Sequence, residues 1–292
     1  MFFFFALFLF IFSSQTKSVY ASSGNSIPLF YQLLEAYKPS KIITSNNLIV
    51  INPTPVQTTV DSTPKIQSPV ALLKEIKNIG GGEPGELITV AVLGDSMIET
   101  LGPNIPQLQK ALFQYYPDKK IKILNYGTPA TTMEHALSRL PSLISQVPDV
   151  IIIESFAYNN FGNTQIGYDK QSNLISNIIT KIHDQLPKTS ILLTSTIAPN
   201  SLIFSNNSSG SQFNALEKIE RTTTIKNYLQ NFINYAKDRH IPYADVYLPS
   251  LINNEGNKNF IDYKDNIHPS ILGGEFFCDT LAKALFDNHL IP

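Results

Sequence analysis

The chain has 292 residues, 43% of them hydrophobic and 15% charged, with a formal net charge of -1. That length and apolar content suffice for one large domain with an extension, and the near-neutral charge leaves no basic field to attract nucleic acid. The single cysteine, Cys278, excludes an internal disulfide; in the apolar run Glu275-Phe276-Phe277-Cys278, with no histidine or basic neighbour, it reads as a small core residue.

The amino terminus opens on an unbroken apolar run, Phe2 to Phe12, too short to span a bilayer comfortably. Polar residues follow, Ser13 to Lys17, and then Val19-Tyr20-Ala21, a small-residue cleavage pattern. Residues 1–21 are expected to be a secretory signal peptide or an uncleaved membrane anchor, and either one exports the rest. Residues 22–86 read as an extension or linker. It has helical apolar spacing over 28–37, a stretch rich in Pro, Thr, Ser and Gln over 52–69 and a short amphipathic segment over 69–79. It serves either as a tether or as a wrap around the following domain. Gly80-Gly81-Gly82-Glu83-Pro84-Gly85 formally satisfies a dinucleotide-binding pattern, yet it precedes a strand instead of following one, so a hinge is the better reading. No phosphate-binding Walker loop, HExxH motif or paired cysteines give sequence support for a cofactor or a metal.

From residue 87 to 292 strand and helix signals alternate. Ile88-Thr89-Val90-Ala91-Val92-Leu93 reads as a strand buried on both faces and runs directly into Gly94-Asp95-Ser96-Met97. A helix over 105–116, a strand over 121–125, a helix over 132–147 and a buried strand over 150–153 follow. Then come a helix over 172–186, a strand over 190–196 and a polar loop over 197–211. That loop carries the overlapping glycosylation sequons Asn206-Asn207-Ser208-Ser209. A long helix over 214–239, a strand over 242–246 and a closing helix over 271–288 complete the chain. Such alternation predicts an α/β fold with a parallel sheet, helices on both faces and right-handed crossovers.

Ser96 therefore stands at the carboxyl end of the first strand, the edge where open α/β sheets bind ligands. A serine hydroxyl needs a base to act as a nucleophile. Of the five histidines, His268 alone follows an aspartate at three residues' distance, in Asp265-Asn266-Ile267-His268-Pro269. That spacing lets a carboxylate fix the imidazole tautomer and stabilise the imidazolium. Taken singly, each residue has a plainer reading: Ser96 as a helix N-cap, Asp265 and His268 as surface-loop residues.

Gly94-Asp95-Ser96 after the first strand, Asn125-Tyr126-Gly127 after the second, an Asn-bearing loop after the third and Asp265-x-x-His268 near the end together resemble the SGNH, or GDSL-type, hydrolase superfamily. The resemblance implies a three-layer αβα sandwich around a flavodoxin-like five-stranded parallel sheet of order 2-1-3-4-5, and a Ser96-His268-Asp265 triad. It further implies an oxyanion hole from the backbone N–H groups of Ser96 and Gly127 and the side chain of Asn159. A missing Cβ at Gly127 would let substrate approach the main chain. Two positions depart from the family pattern. Its third block, usually Gly-x-Asn-Asp, is replaced by Glu154-Ser155-Phe156-Ala157-Tyr158-Asn159-Asn160, which leaves Asn159 and Asn160 both eligible; and Ala130 stands where a second glycine often follows Gly127. Asp95 reads as a residue that hydrogen-bonds the loop, and Glu154 and Tyr158 equally as shapers of the pocket or as members of a buried polar network.

The expected function is an exported serine esterase or acylhydrolase without cofactor or metal. O-acetyl groups on cell-surface glycans are the first substrate class and lipid esters the second. A non-catalytic glycan-binding or surface-assembly protein that retains the fold is the alternative from another class. Flavin binding has little support, because Gly94-Asp95-Ser96 is too short to cradle a phosphate. The sequence leaves the oligomeric state open.

Overall fold

A computed structural model describes residues 87–208 and 212–292. The expectations for 1–21 and 22–86, and the last residue of the sequon stretch, lie outside the described residues. Five strands form one parallel sheet in the order β2-β1-β3-β4-β5. They are β1 (Leu87–Gly94), β2 (Lys120–Gly127), β3 (Val150–Glu154), β4 (Ser190–Thr194) and the short β5 (Tyr243–Ala244). The expected order and layering are therefore the observed ones. The helices are α1 (Ser96–Glu99), α2 (Pro106–Tyr115), α3 (Met133–Ile144), α4 (Gln165–Gln185), α5 (Ala215–Asp238) and α6 (Ile271–Asp287).

Successive strand residues point to opposite faces, so a strand buried on both faces feeds two cores. Val90 and Val92 of β1, with Ile152 and Leu192, pack on Leu108 and Leu112 of α2 and on Phe277, Leu281 and Leu285 of α6. Ala91 and Leu93, with Ile151 and Ile153, pack on Leu140 of α3, Ile175 and Ile178 of α4 and Phe232 of α5. Each fully buried aliphatic side chain contributes about 1.5–3 kcal/mol. This two-sided burial explains why the strands read as continuous apolar runs. Cys278 belongs to the first core, where burial pushes its thiol pKa far up and leaves it unreactive.

Three local departures have physical causes. The α4 helix starts two turns before the expected residue 172, because Thr164 caps it by accepting from the Gly167 N–H at 3.2 Å. Its first turns are polar, and Gly167 is required there: a Cβ would lie 2.2 Å from the Tyr228 hydroxyl. A small antiparallel hairpin, β6 (Leu251–Ile252) and β7 (Glu255–Gly256), went unread. Its turn residues Asn253 and Asn254 have φ of 51° and 63°, the left-handed pair that a two-residue hairpin turn needs. The strand expected over 242–246 shrinks to two residues because the chain then turns away: the Val246 and Tyr247 N–H groups donate to Ser195 Oγ instead of to a neighbouring strand. Among the described residues no helix is long and apolar enough to cross a membrane.

Gly94 and Gly127 are register partners at the carboxyl ends of β1 and β2, and α1 packs across them. A Cβ on Gly127 would lie 2.3 Å from the Glu99 backbone nitrogen. Gly127→Ala is therefore expected to cost about 1–3 kcal/mol, as overpacking against an immovable backbone does. A urea unfolding midpoint equal to that of the parent chain would contradict this packing.

Candidate active site

The loop after β1 is set by Asp95, which is fully buried. Its Oδ1 accepts the Met97 N–H at 2.8 Å and so caps α1, and its Oδ2 accepts from Asn159 Nδ2 at 2.8 Å. Capping thus falls to Asp95 and not to Ser96, which becomes the first residue of the helix and stays half-buried. Among the described residues the Ser96 hydroxyl makes no hydrogen bond, and neither does its backbone N–H. The serine is therefore held by its main chain and left chemically uncommitted.

His268 is fixed from one side. Its Nδ1 lies 2.7 Å from Asp265 Oδ2, while Asp265 Oδ1 accepts the backbone N–H groups of Ile267 at 2.8 Å and His268 at 3.0 Å. With Nδ1–H donating to the carboxylate, Nε2 is the acceptor, the tautomer a general base requires. Burial pushes Asp265 up, but the bonds from the His268 ring and the two N–H groups outweigh it and hold the carboxyl below its ordinary range. The loop itself is pinned by Asp262 N–H to His268 O at 2.8 Å and by a bridge between Ile261 and Pro269. Ser270 then caps α6, accepting from Gly273 N–H.

After β3, Phe156 adopts the left-handed region at φ 53°. Its N–H donates to Glu154 Oε2 at 2.9 Å, and the Asp95 N–H donates to the same carboxylate, so Glu154 ties the first loop to the third. The turn aims Asn159 at Asp95. Asn160 instead closes its own loop, donating to Ala157 O at 2.9 Å and accepting the Gly162 N–H at 3.0 Å. The amide of Asn159 has two hydrogens, and only one is taken by Asp95 among the described residues. Burial raises the pKa of Asp95; it raises that of Glu154 well above the ordinary range, with the Asp95 charge adding to the effect. The Tyr158 hydroxyl donates to Ile197 O at 3.2 Å, and burial, with the nearby charges of Asp95, Glu154 and Asp265, keeps it un-ionised.

The loop after β2 differs from expectation. The Gly127 N–H donates to Asn125 Oδ1 at 2.7 Å, and the space a Cβ would fill is taken by the Glu99 backbone. Helix packing by itself thus requires glycine at 127. Asn125 also donates to Ile98 O at 3.0 Å and Gly102 O at 2.8 Å, closing α1 onto β2. Sequence reasoning missed Arg139. Its guanidinium donates to Tyr126 O at 2.6 Å, Thr128 Oγ1 at 2.6 Å and Gly94 O at 3.1 Å, stitching the first two strand ends together. Burial pulls its pKa down, and the Asp95 charge opposes that. A signal existed: Arg139 follows Ala136 at three residues on the α3 face that buries Met133, Ala136, Leu140 and Leu143. Ala130 holds φ 54°, a left-handed conformation that glycine adopts at lower cost.

The GDSL-like Lipase/Acylhydrolase family model matches residues 90–281. The chain belongs to this family. It is accordingly a carboxylic ester hydrolase. No sequence among curated proteins matches the chain. Several solved structures share the GDSL fold at low identity. The acetyl xylan esterase AlAXEase is 18% identical with a TM-score of 0.51, over 68% of this chain and 100% of that one. A GDSL-like lipase from Bacteroides thetaiotaomicron is 18% identical with a TM-score of 0.49, over 68% and 88%. The lipase/acylhydrolase from Enterococcus faecalis is 17% identical with a TM-score of 0.49, over 70% and 97%.

In GDSL terms, the first and third blocks of this chain meet in the Asp95–Asn159 bond, the last block holds the Asp265–His268 pair, and the second block packs against α1. No group of three or more His, Cys, Asp or Glu side chains that could hold a metal ion occurs among the described residues. Because Asp265 has a lowered folded-state pKa, its contribution to stability is complete above the unfolded-state pKa and is lost as pH falls through the folded value. Asp265→Asn is thus expected to be less stable than the parent at neutral pH, with the gap closing in strong acid. Urea titrations of both proteins across pH test this, and a gap independent of pH would contradict it.

Proposed function

We propose that this hydrolase is an exported serine esterase that removes O-acetyl groups from cell-surface glycans, with Ser96 as nucleophile, His268 as base and Asp265 as the residue that orients and stabilises the imidazolium. The observation that carries this reading is the 2.7 Å Asp265–His268 bond, which fixes the imidazole with Nε2 left as the acceptor. In the first half-reaction Ser96 Oγ attacks the ester carbonyl carbon and its proton passes to His268 Nε2. The tetrahedral intermediate collapses with transfer of that proton to the departing alcohol. Water then attacks the acyl-serine, again through His268, and releases the acid.

The oxyanion of each intermediate needs donors already in place. Two groups suit this role: the uncommitted Ser96 N–H and the second amide hydrogen of Asn159. Gly127, the third donor implied by the family resemblance, has its N–H committed to Asn125. Each working donor is worth about 2.7–4 kcal/mol of transition-state stabilisation. Export rests on the signal-like segment 1–21, which also leaves room for a membrane tether. For the substrate, the support is the polar stripe that α5 turns toward the neighbouring cleft; the acetyl xylan esterase of the same fold acts on an acetylated glycan in its own right.

A fluorophosphonate probe is expected to label Ser96, as read by peptide mass spectrometry, with labelling abolished in Ser96→Ala and strongly slowed in His268→Ala. Acetate release from acetylated xylan should exceed cleavage of long-chain p-nitrophenyl esters. Absence of label in a folded protein would overturn the triad, and efficient long-chain cleavage without acetate release would overturn the glycan substrate.

A further inference from the structure

A cleft of about 610 Å³ opens between the Tyr158 loop and the first turns of α5. That volume is within the usual range of small-molecule sites. Its floor is apolar, formed by Tyr158, Phe204 and Ile225, and its rim carries Asn163, Glu217, Glu220, Arg221 and Thr224. Residues 217, 220, 221 and 224 follow one helix face at spacings of three and four, so α5 turns a polar stripe toward the cleft. Thr222, Ile225 and Leu229 of the same helix are buried.

The cleft adjoins the catalytic loops on two sides. Tyr158 immediately precedes Asn159, whose amide bonds Asp95. Ile267, next to His268, packs against the apolar cluster that contains Phe204 and Ile225. The Ser205 N–H also donates to Asn266 O at 3.3 Å, which joins the Phe204 segment to the histidine loop.

We infer that this cleft is the alcohol-side subsite of the esterase and that it takes a polyhydroxylated saccharide. The inference rests on the esterase reading given above and adds to it the part of the substrate that is recognised. Two charged side chains on the rim are prepared for such a ligand. Among the described residues the Glu220 carboxylate has no hydrogen bond or ion pair. Arg221 has no ion pair, and its guanidinium sits 4.0 Å from the Phe213 ring centroid, over a ring that stacks on Phe204 at 6.2 Å and 21°. The aromatic layers hold Arg221 at the rim with its N–H fork available. Vicinal hydroxyls match a carboxylate and a guanidinium together, and a pyranose C–H face matches an apolar floor. An acyl chain in the same place would strip water from both charges and return no hydrogen bonds, which is unfavourable. The alcohol of the ester therefore enters here.

The test uses the full chain and two probes, p-nitrophenyl acetate and an acetylated xylo-oligosaccharide. The quantity read is the ratio of kcat/KM for the oligosaccharide to kcat/KM for p-nitrophenyl acetate. Glu220→Ala combined with Arg221→Ala, both exposed, is expected to lower that ratio at least about tenfold through a higher oligosaccharide KM, the effect of losing charge-assisted hydrogen bonds. Thr224→Trp, which fills the cleft, should lower it as well. An unchanged ratio in both variants would overturn the subsite, and so would parallel losses on both substrates. A parent enzyme that cleaves p-nitrophenyl acetate but not the oligosaccharide would overturn the saccharide while leaving the esterase intact. Failure on both probes, together with no fluorophosphonate label on Ser96, would instead remove the esterase reading itself.

Discussion

The carboxylate of Asp95 is the constraint on which the site depends. It is an anion-capable group taken fully out of water, and such burial is tolerated only when hydrogen bonds replace the lost solvent. Met97 N–H and Asn159 Nδ2 supply two of these bonds, and the charge of Arg139 favours the ionised form from farther away. Each partner is thereby fixed in place. The Met97 bond sets the start of α1 and so the position of Ser96. The Asn159 bond draws in the third loop.

Glu154 extends this arrangement one layer down. Its carboxylate accepts N–H groups from both Asp95 and Phe156, and Ser155 donates to it at 2.6 Å. Two acids buried side by side disfavour each other's charge, and the hydrogen bonds to each make the arrangement sustainable. On the other flank Arg139 and Asn125 bond strand-end carbonyls and the last turn of α1. Side chains thus reinforce the strand ends and the short helix at the edge where the parallel sheet stops providing ladder bonds.

How much of this was legible follows from the type of signal. The sheet was legible because strands buried on both faces leave continuous apolar runs, and β1 led straight to Ser96. The Asp265–His268 relation was legible because it spans only three residues. The choice between Asn159 and Asn160 was not, since it depends on the left-handed turn at Phe156, a residue with no sequence signature for that conformation. The role of Gly127 was read from chemistry alone, and its cause lies in Glu99, a neighbour distant in sequence. Arg139 escaped notice because its partners are backbone carbonyls, which sequence does not mark. The α4 start was hidden by a glycine, whose necessity comes from Tyr228 on another helix.

The claim that one buried carboxylate assembles the site is tested most directly by a double-mutant cycle between Asp95→Asn and Asn159→Ala, read as kcat/KM for p-nitrophenyl acetate. If Asp95 holds Asn159 in place, the two losses overlap and the coupling amounts to about 1.5–3 kcal/mol, as for a hydrogen bond to a charged group. Losses that add to within about 0.5 kcal/mol would show that the two residues act independently and would contradict the account.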